Sequence, residues 1–412
     1  MLRSMFSGVS GLRLHQTRMD VIGNNIANVN TVAFKSSRVT FQEVFSQTLK
    51  PASSPAAGVG RGGTNPQQIG LGMAIASIDV LHLNGSAQRT DKVTDLSIEG
   101  DGFFTVSDGV NRYYTRAGNF DMDLTGNLVT ANGLKVMGWL YDPAVGEVVT
   151  AGQPREINLA NLVLPPQATT SFIFEGNLNN EAQVGDQFPY TVSVYDSKGA
   201  EHKLTVTFEK IDDNEWEYTI TAPAGLTITA GDTGTLIFNT NGSFDDENSI
   251  VPLLEIDVAG ADSLSIQPSF TLDKFTQYNS EYSVKVASVD GYRAGVLNGI
   301  SIDKNGNVIG IYSNGLFRTE ATLALAKFTN PAGLLKLGDN LFGVSTNSGL
   351  PELGVAGQDG RGTINPGSLE MSNVDLTQEF TDMIITQRGF QANSRIITTS
   401  DEMLQELVNL KR

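Results

Sequence analysis

The chain has 412 residues, 40% of them hydrophobic, a formal net charge of −17 and no cysteine. That length exceeds one small core and implies several domains, while the missing cysteine excludes disulfides, thiolate nucleophiles and thiolate metal sites. The acidic balance argues against nucleic acid as a partner. Within the first fifty residues the balance reverses, with Arg3, Arg13, Arg18, Lys35, Arg38 and Lys50 set against Asp20 and Glu43.

Leu2, Met5, Val9, Leu12, Met19 and Ile26 recur at three- and four-residue steps, broken at Gln16 and Gly23, which predicts a helix with a heptad stripe within 1–30. Its end is expected among Asn24, Asn25, Asn28 and Asn30, because asparagine tolerates left-handed backbone and competes for backbone hydrogen bonds. Gly8, Gly11, Arg13 and His15 interrupt any secretory h-region, and no run approaches membrane-spanning length, so neither a cleaved signal nor membrane insertion is expected.

Periodicity is lost over 31–70, where Lys50-Pro51-Ala52-Ser53-Ser54-Pro55 and the glycines after it read as linker. Gly58, Gly60 and Gly63 match a dinucleotide fingerprint in letters only, since Pro51, Pro55 and Pro66 deny it the strand before and the helix after. Residues 71–142 alternate in short β runs, with Asn132-Gly133 marking a hairpin. Asp121 to Gly126 starts like a calcium loop but has Asn132 where the bidentate carboxylate belongs, so a hairpin turn is expected there.

Over 143–286 a second β pattern follows. Tyr190, Val192 and Val194, then Leu204, Val206 and Phe208, then Trp216, Tyr218 and Ile220 predict a three-strand meander. The first pattern resumes over 287–371, with Asn-Gly turns at Asn298-Gly299, Asn305-Gly306 and Asn314-Gly315. The outer β domain is thus expected to be inserted in the inner one. Last, Leu376, Phe380, Met383, Phe390, Ile397, Leu404 and Val408 repeat the heptad spacing within 372–412, with Gln387, Ser394 and Asp401 in the gaps. Two terminal stripes are expected to pair, giving a mainly β chain bracketed by a terminal coiled-coil domain.

The run Asp20 to Thr31, with Gly23, Asn24, Asn25 and Asn28 in it and Val32-Ala33-Phe34-Lys35 after it, resembles the N-terminal signature of the bacterial flagellar rod and hook proteins. Ser372-Asn373-Val374-Asp375-Leu376, followed by Gln387-Arg388-Gly389-Phe390, is similar to the C-terminal signature of that family. Ala33 departs from the usual glycine, so positive φ is not expected there. Val194 to His202, through Asn214-Glu215-Trp216, resembles the outer domain of hook subunits, which shorter rod proteins lack.

The resemblance implies a non-enzymatic subunit of the extracellular flagellum, exported through the flagellar type III channel without a cleaved signal. It implies a curved tubular homopolymer that encloses the export channel and transmits torque as a universal joint. The implied partners are further copies, the distal rod, the hook cap and the hook–filament junction proteins, with no cofactor. The nearest alternative is a distal rod driveshaft of the same group, and from another class a secreted adhesin or carbohydrate-binding β protein. His15, His82 and His202 stand far apart, outside any zinc motif, and are expected to be packing or surface residues. Asp212-Asp213 and Asp245-Asp246-Glu247 read as loop solvation rather than a catalytic carboxylate pair. Gly8, Gly11 and Gly23 each forfeit about 1 kcal/mol of helix propensity, so the isolated helix pair is expected to need neighbouring copies to order it.

Overall fold

The computed structural model describes residues 2–54, 63–160 and 162–410 and, of Leu2, the backbone alone. Gly58 and Gly60 of the nucleotide-like run lie outside the described residues. Helix α1 (Leu2–Ala27) opens the chain and α2 (Leu376–Asn409) closes it, with strands and turns between. At the end of α1 the Asn28 side-chain amide donates to the Asn24 carbonyl at 2.9 Å, closing the helix where the asparagines cluster. Asp375 begins α2: its carboxylate accepts from the Thr377 and Gln378 N–H groups at 2.8 and 3.3 Å, satisfying donors that a helix start leaves free. Among the described residues, no helix is long and apolar enough to cross a membrane.

Packing divides the chain into one unit of Met1–Ala160, Ser301–Ile309 and Thr319–Arg412, and another of Asn161–Ile300 and Gly310–Arg318. These limits differ from breaks at Pro143 and Val286 for local reasons. Ile157 and Leu159 are buried, and the Ile157 backbone bonds Leu128 and Val136. Asp290 in turn accepts from the Thr170 and Ser171 N–H groups at 2.9 and 3.0 Å.

In the first unit, the stretch read as linker holds strands β1 (Ser37–Glu43), β2 (Ser46–Lys50) and β3 (Gln67–Gly70), followed by β4 (Met73–Val80). β1 pairs antiparallel with β4 from Ser37↔Val80 to Glu43↔Met73, with a bulge between Thr40 and Phe41, and β2 pairs antiparallel with β3. β2 and β3 are exposed along their whole length, so no hydrophobic alternation announced them.

The strand Lys135–Asp142 runs between Phe103–Ser107 and residues 321–323 in a larger sheet. Phe103, Tyr114, Phe328 and Phe342 pack together beside that sheet, with Tyr114 and Phe328 edge to face at 4.9 Å. The Asn132-Gly133 hairpin forms as read, with Gly133 at φ 79°. The calcium-like run is a turn: Asp123 accepts from the Thr125 and Asn127 N–H groups at 2.9 and 2.7 Å.

Ala33 overturns the expectation set for it. It sits at φ 57° and is buried, with its N–H held by the Glu370 carbonyl at 2.8 Å. That hydrogen bond and the surrounding packing impose a left-handed backbone that alanine adopts only at a cost.

The second unit contains two five-stranded sheets. One is the expected meander, in which Gln187–Tyr195 pairs with Glu201–Asp212 and that strand with Glu215–Thr221, extended by Thr233–Phe238 and Phe244–Ile250. In the other, Ser171–Asn179 lies parallel to Leu264–Tyr278 and antiparallel to Lys285–Val289. Both sheets contribute to one buried core: Phe174 meets Phe208 at 5.5 Å, and Tyr218 meets Phe270 at 5.9 Å.

Candidate assembly surface on the terminal helices

The two helices lie side by side and antiparallel. Gly8 faces Asn393 and Ile397, Gly11 faces Asn393, and Gly389 faces His15. Arg18 pairs with Asp382 at 3.0 Å, and the Asn25 amide donates to Glu379 at 2.9 Å. Small residues set the separation, since a Cβ on Gly11 would lie 2.6 Å from the Asn393 amide nitrogen and one on Gly389 2.7 Å from the His15 ring. Burial raises the Glu379 pKa against the Asn25 hydrogen bond, and burial beside Arg18 lowers that of His15.

The flank of α1 next to this contact rests on β1 and β4. The His15 ring meets Phe41 edge-on at 6.0 Å. Asn25 is buried: its amide nitrogen donates to the Ser37 carbonyl at 2.8 Å and its oxygen accepts from the Ser37 N–H at 3.0 Å. This one side chain therefore binds α1, β1 and α2 together, which is a reason for asparagine that its helix-ending tendency did not reveal.

The helices pair, and the closest approaches between them run through small and polar residues, with part of each heptad stripe left exposed. Val9, Leu376, Phe380, Phe390 and Val408 are exposed, Phe380 by 50% and Val408 by 68%. Met5, Leu12, Met19, Ile26, Met383, Ile397 and Leu404 are half-buried, and the side chain of Leu2 lies outside the described residues. Of the stripe, Ile397 reaches α1 beside Gly8. The buried positions are Gly8, Gly11, Leu14, Ile22 and Asn25 on α1 and Thr386 and Ser400 on α2. On α1 this surface is shifted by one residue, about 100° around the axis, because close approach selects small side chains at the contact. Ile384 and Ile385 add to the apolar surface left outside, at 58% and 55% exposure.

The signature residues divide in the same way. Asn373 accepts from the Ser36 N–H at 2.8 Å and donates to the Leu81 carbonyl at 2.8 Å, and Thr31 donates to the Asn28 side chain at 3.0 Å. Phe34 is buried under the Lys336 ammonium, 5.1 Å from its ring centroid. Together with Asn25 and Asp375 they fasten the helices to the β chain. Asp20, Gly23, Asn24 and Gln387 are exposed.

Beneath that joint lies a buried ionic cluster that no sequence pattern announced. Glu370 accepts from Lys35 at 2.7 Å and from the Gly85 N–H at 2.9 Å, with the Arg116 guanidinium at 3.4 Å. The Lys35 and Glu370 side chains are 0% and 2% exposed. Lys35 also donates to the Leu83 carbonyl, and Arg116 to the carbonyls of Gly100 and Gly102, the additional bonds that buried charges require. Burial lowers the Lys35 pKa against the pull of Glu370. His82 packs between Phe103 and Phe342, and burial beside Lys35, Arg116 and Lys336 lowers its pKa to about 4. His202 belongs to the second unit, with its Nε2 3.2 Å from Asp196 Oδ2.

Terminal helices joined through a small, polar contact, with apolar surface turned outward and the chain between them folded into β units, match the axial proteins of the bacterial flagellum. Residues 5–35 match the family described as flagella basal body rod protein, 97–176 the flagellar hook protein FlgE/F/G D1 domain, 147–292 the flagellar basal body protein FlaE D2 domain, and 365–410 the flagellar basal body rod FlgEFG protein C-terminal region.

The chain belongs to the flagellar hook protein family. It is 42% identical to the flagellar hook protein FlgE of Borreliella burgdorferi and 39% identical to that of Treponema pallidum, with all of each chain covered. The crystal structure of Helicobacter pylori flagellar hook protein FlgE2, at 15% identity, superposes with a TM-score of 0.53 over 69% of this chain and 100% of that one, a likeness of fold.

Proposed function

We propose that this chain is the structural subunit of the flagellar hook, polymerising into a curved tube that passes motor torque to the filament. The terminal helices of many copies line the export channel, and the β units stack outside them. The seam residues from Met5 to Val408 become buried between copies. The same reading gives an extracellular position, type III export without a cleaved signal, and contacts with the distal rod, the hook cap and the junction proteins. No step of this task calls for catalysis.

The observation that carries the reading is the apolar surface of α2: Phe380 and Ile384 are exposed on the face turned away from α1, and Ile385 and Phe390 are exposed on its two flanks. Apolar surface of that extent on a helix marks an interaction site. The experiment is electron microscopy of the purified chain taken above its polymerisation threshold. Curved hollow tubes are the expected product. Straight rods would move the assignment to the distal rod, and a permanent monomer that binds glycans would support an adhesin.

A further inference from the structure

The side of α2 that meets α1 changes character along its length. From Glu379 to Ser400 it presents Glu379, Asp382, Thr386, Gly389 and Asn393. Past Ser400 the same side presents Met403, Leu407 and Leu410, spaced at four and three residues so that they share one face. The opposition of Gly8 to Ile397, continued residue for residue, sets Leu2 opposite about residue 403. Among the described residues, nothing lies alongside the end of α2 beyond that level. Met403, Leu407 and Leu410 are accordingly 48%, 50% and 81% exposed. They line an open groove together with Glu402, Gln405 and Glu406.

On the outer side of α1, Phe6, Val9 and Arg13 form a ridge at three- and four-residue spacing. Phe6 is 71% exposed, and Val9 and Arg13 are also exposed. This ridge offers the chemistry the groove lacks: apolar side chains for Met403, Leu407 and Leu410, and a cation for Glu402 and Glu406. The geometry points to a contact between copies, in which the end of α2 in one chain seats on the Phe6, Val9 and Arg13 ridge of α1 in the next. This inference rests on the polymer reading above and names the surfaces by which one helix pair engages another.

The chain has no cysteine, so introduced thiols report this contact without background. Within one chain, the helix register places Val9 level with about residue 396, leaving position 407 roughly 16 Å further along the axis, beyond the reach of a disulfide. Polymer assembled from the V9C/L407C chain and then oxidised should give a ladder of dimers, trimers and longer species on a non-reducing gel. Neither single variant should pass the dimer.

In parallel, Arg13→Glu should raise the critical concentration for polymerisation by about tenfold or more, and adding Glu402→Arg and Glu406→Arg should restore it. Circular dichroism of each monomer identifies a variant that has lost its helices, in which case the cysteine pair alone decides. A paired variant with no ladder beyond the single variants, or charge reversals that leave the threshold unmoved or unrestored, overturns the contact while wild-type tubes still form. If wild type forms no polymer at all, the polymer reading falls and the contact with it.

Discussion

Gly11 and Gly23 sit on the same helix, yet the same substitution should act on them in opposite directions. At Gly23 a Cβ would meet nothing within 4 Å, so Gly23→Ala should stabilise α1 in the monomer by about 1 kcal/mol, the propensity difference. At Gly11 the new methyl would lie 2.6 Å from Nδ2, 2.9 Å from Cγ and 3.1 Å from Oδ1 of Asn393. The whole amide must swing away or the helices must part by nearly 1 Å, and overpacking of that kind costs about 1 to 3 kcal/mol.

Set against the same propensity gain, Gly11→Ala should fall about 1 to 3 kcal/mol below Gly23→Ala in stability. For a unit of this size each kcal/mol shifts the melting temperature by about 2 to 4 °C. Thermal unfolding of the two monomers, with amide exchange along α1 to localise the change, measures the gap. If Gly11→Ala protects α1 as well as Gly23→Ala does, the close approach of Asn393 is not what holds the helices together.

Ala33→Val should lower stability by about 2 to 3 kcal/mol, because a buried β-branched residue resists positive φ; Ala33→Gly should stay within about 1 kcal/mol of wild type. Thermal melts of the two variants check the contrast. Glu370→Gln leaves Lys35 and Arg116 buried without a full counter-charge and should cost about 3 to 5 kcal/mol, read from the denaturant midpoint. His82 contributes a pH dependence. Its folded pKa of about 4 lies below the unfolded 6.5, so the unfolded chain binds more protons between those values and stability falls as pH drops through that window, by about 3 kcal/mol in total. The contribution is fully present above pH 6.5, and His82→Phe should flatten this part of the stability profile; an unchanged slope in that variant would contradict the assignment.

The elements legible in the sequence were those whose period is written in apolar residues. Leu204, Val206 and Phe208 against Trp216, Tyr218 and Ile220 gave the meander, and both terminal helices followed from their stripes. The surface between those helices was not legible, because Gly8, Gly11, Thr386, Gly389 and Ser400 carry no hydrophobic signal and an apolar stripe does not say which neighbour it awaits. β2 and β3 were missed because they bury neither face. Lys35, Arg116 and Glu370 escaped notice because a cluster assembled from such distant parts of the chain leaves no local spacing to detect. The parallel pairing of Ser171–Asn179 with Leu264–Tyr278 is likewise a product of tertiary structure.

The antiparallel join of α1 to α2 also fixes an order of events. Arg18 finds Asp382 across 364 residues and Asn25 finds Glu379 across 354, so the earliest-made helix cannot be completed until the last one exists. Loop closure over such spans comes late in folding. A chain whose final residues are not yet free therefore has its adhesive part unfinished, and it becomes sticky only once both ends can meet. Sequence separation alone acts as the timer.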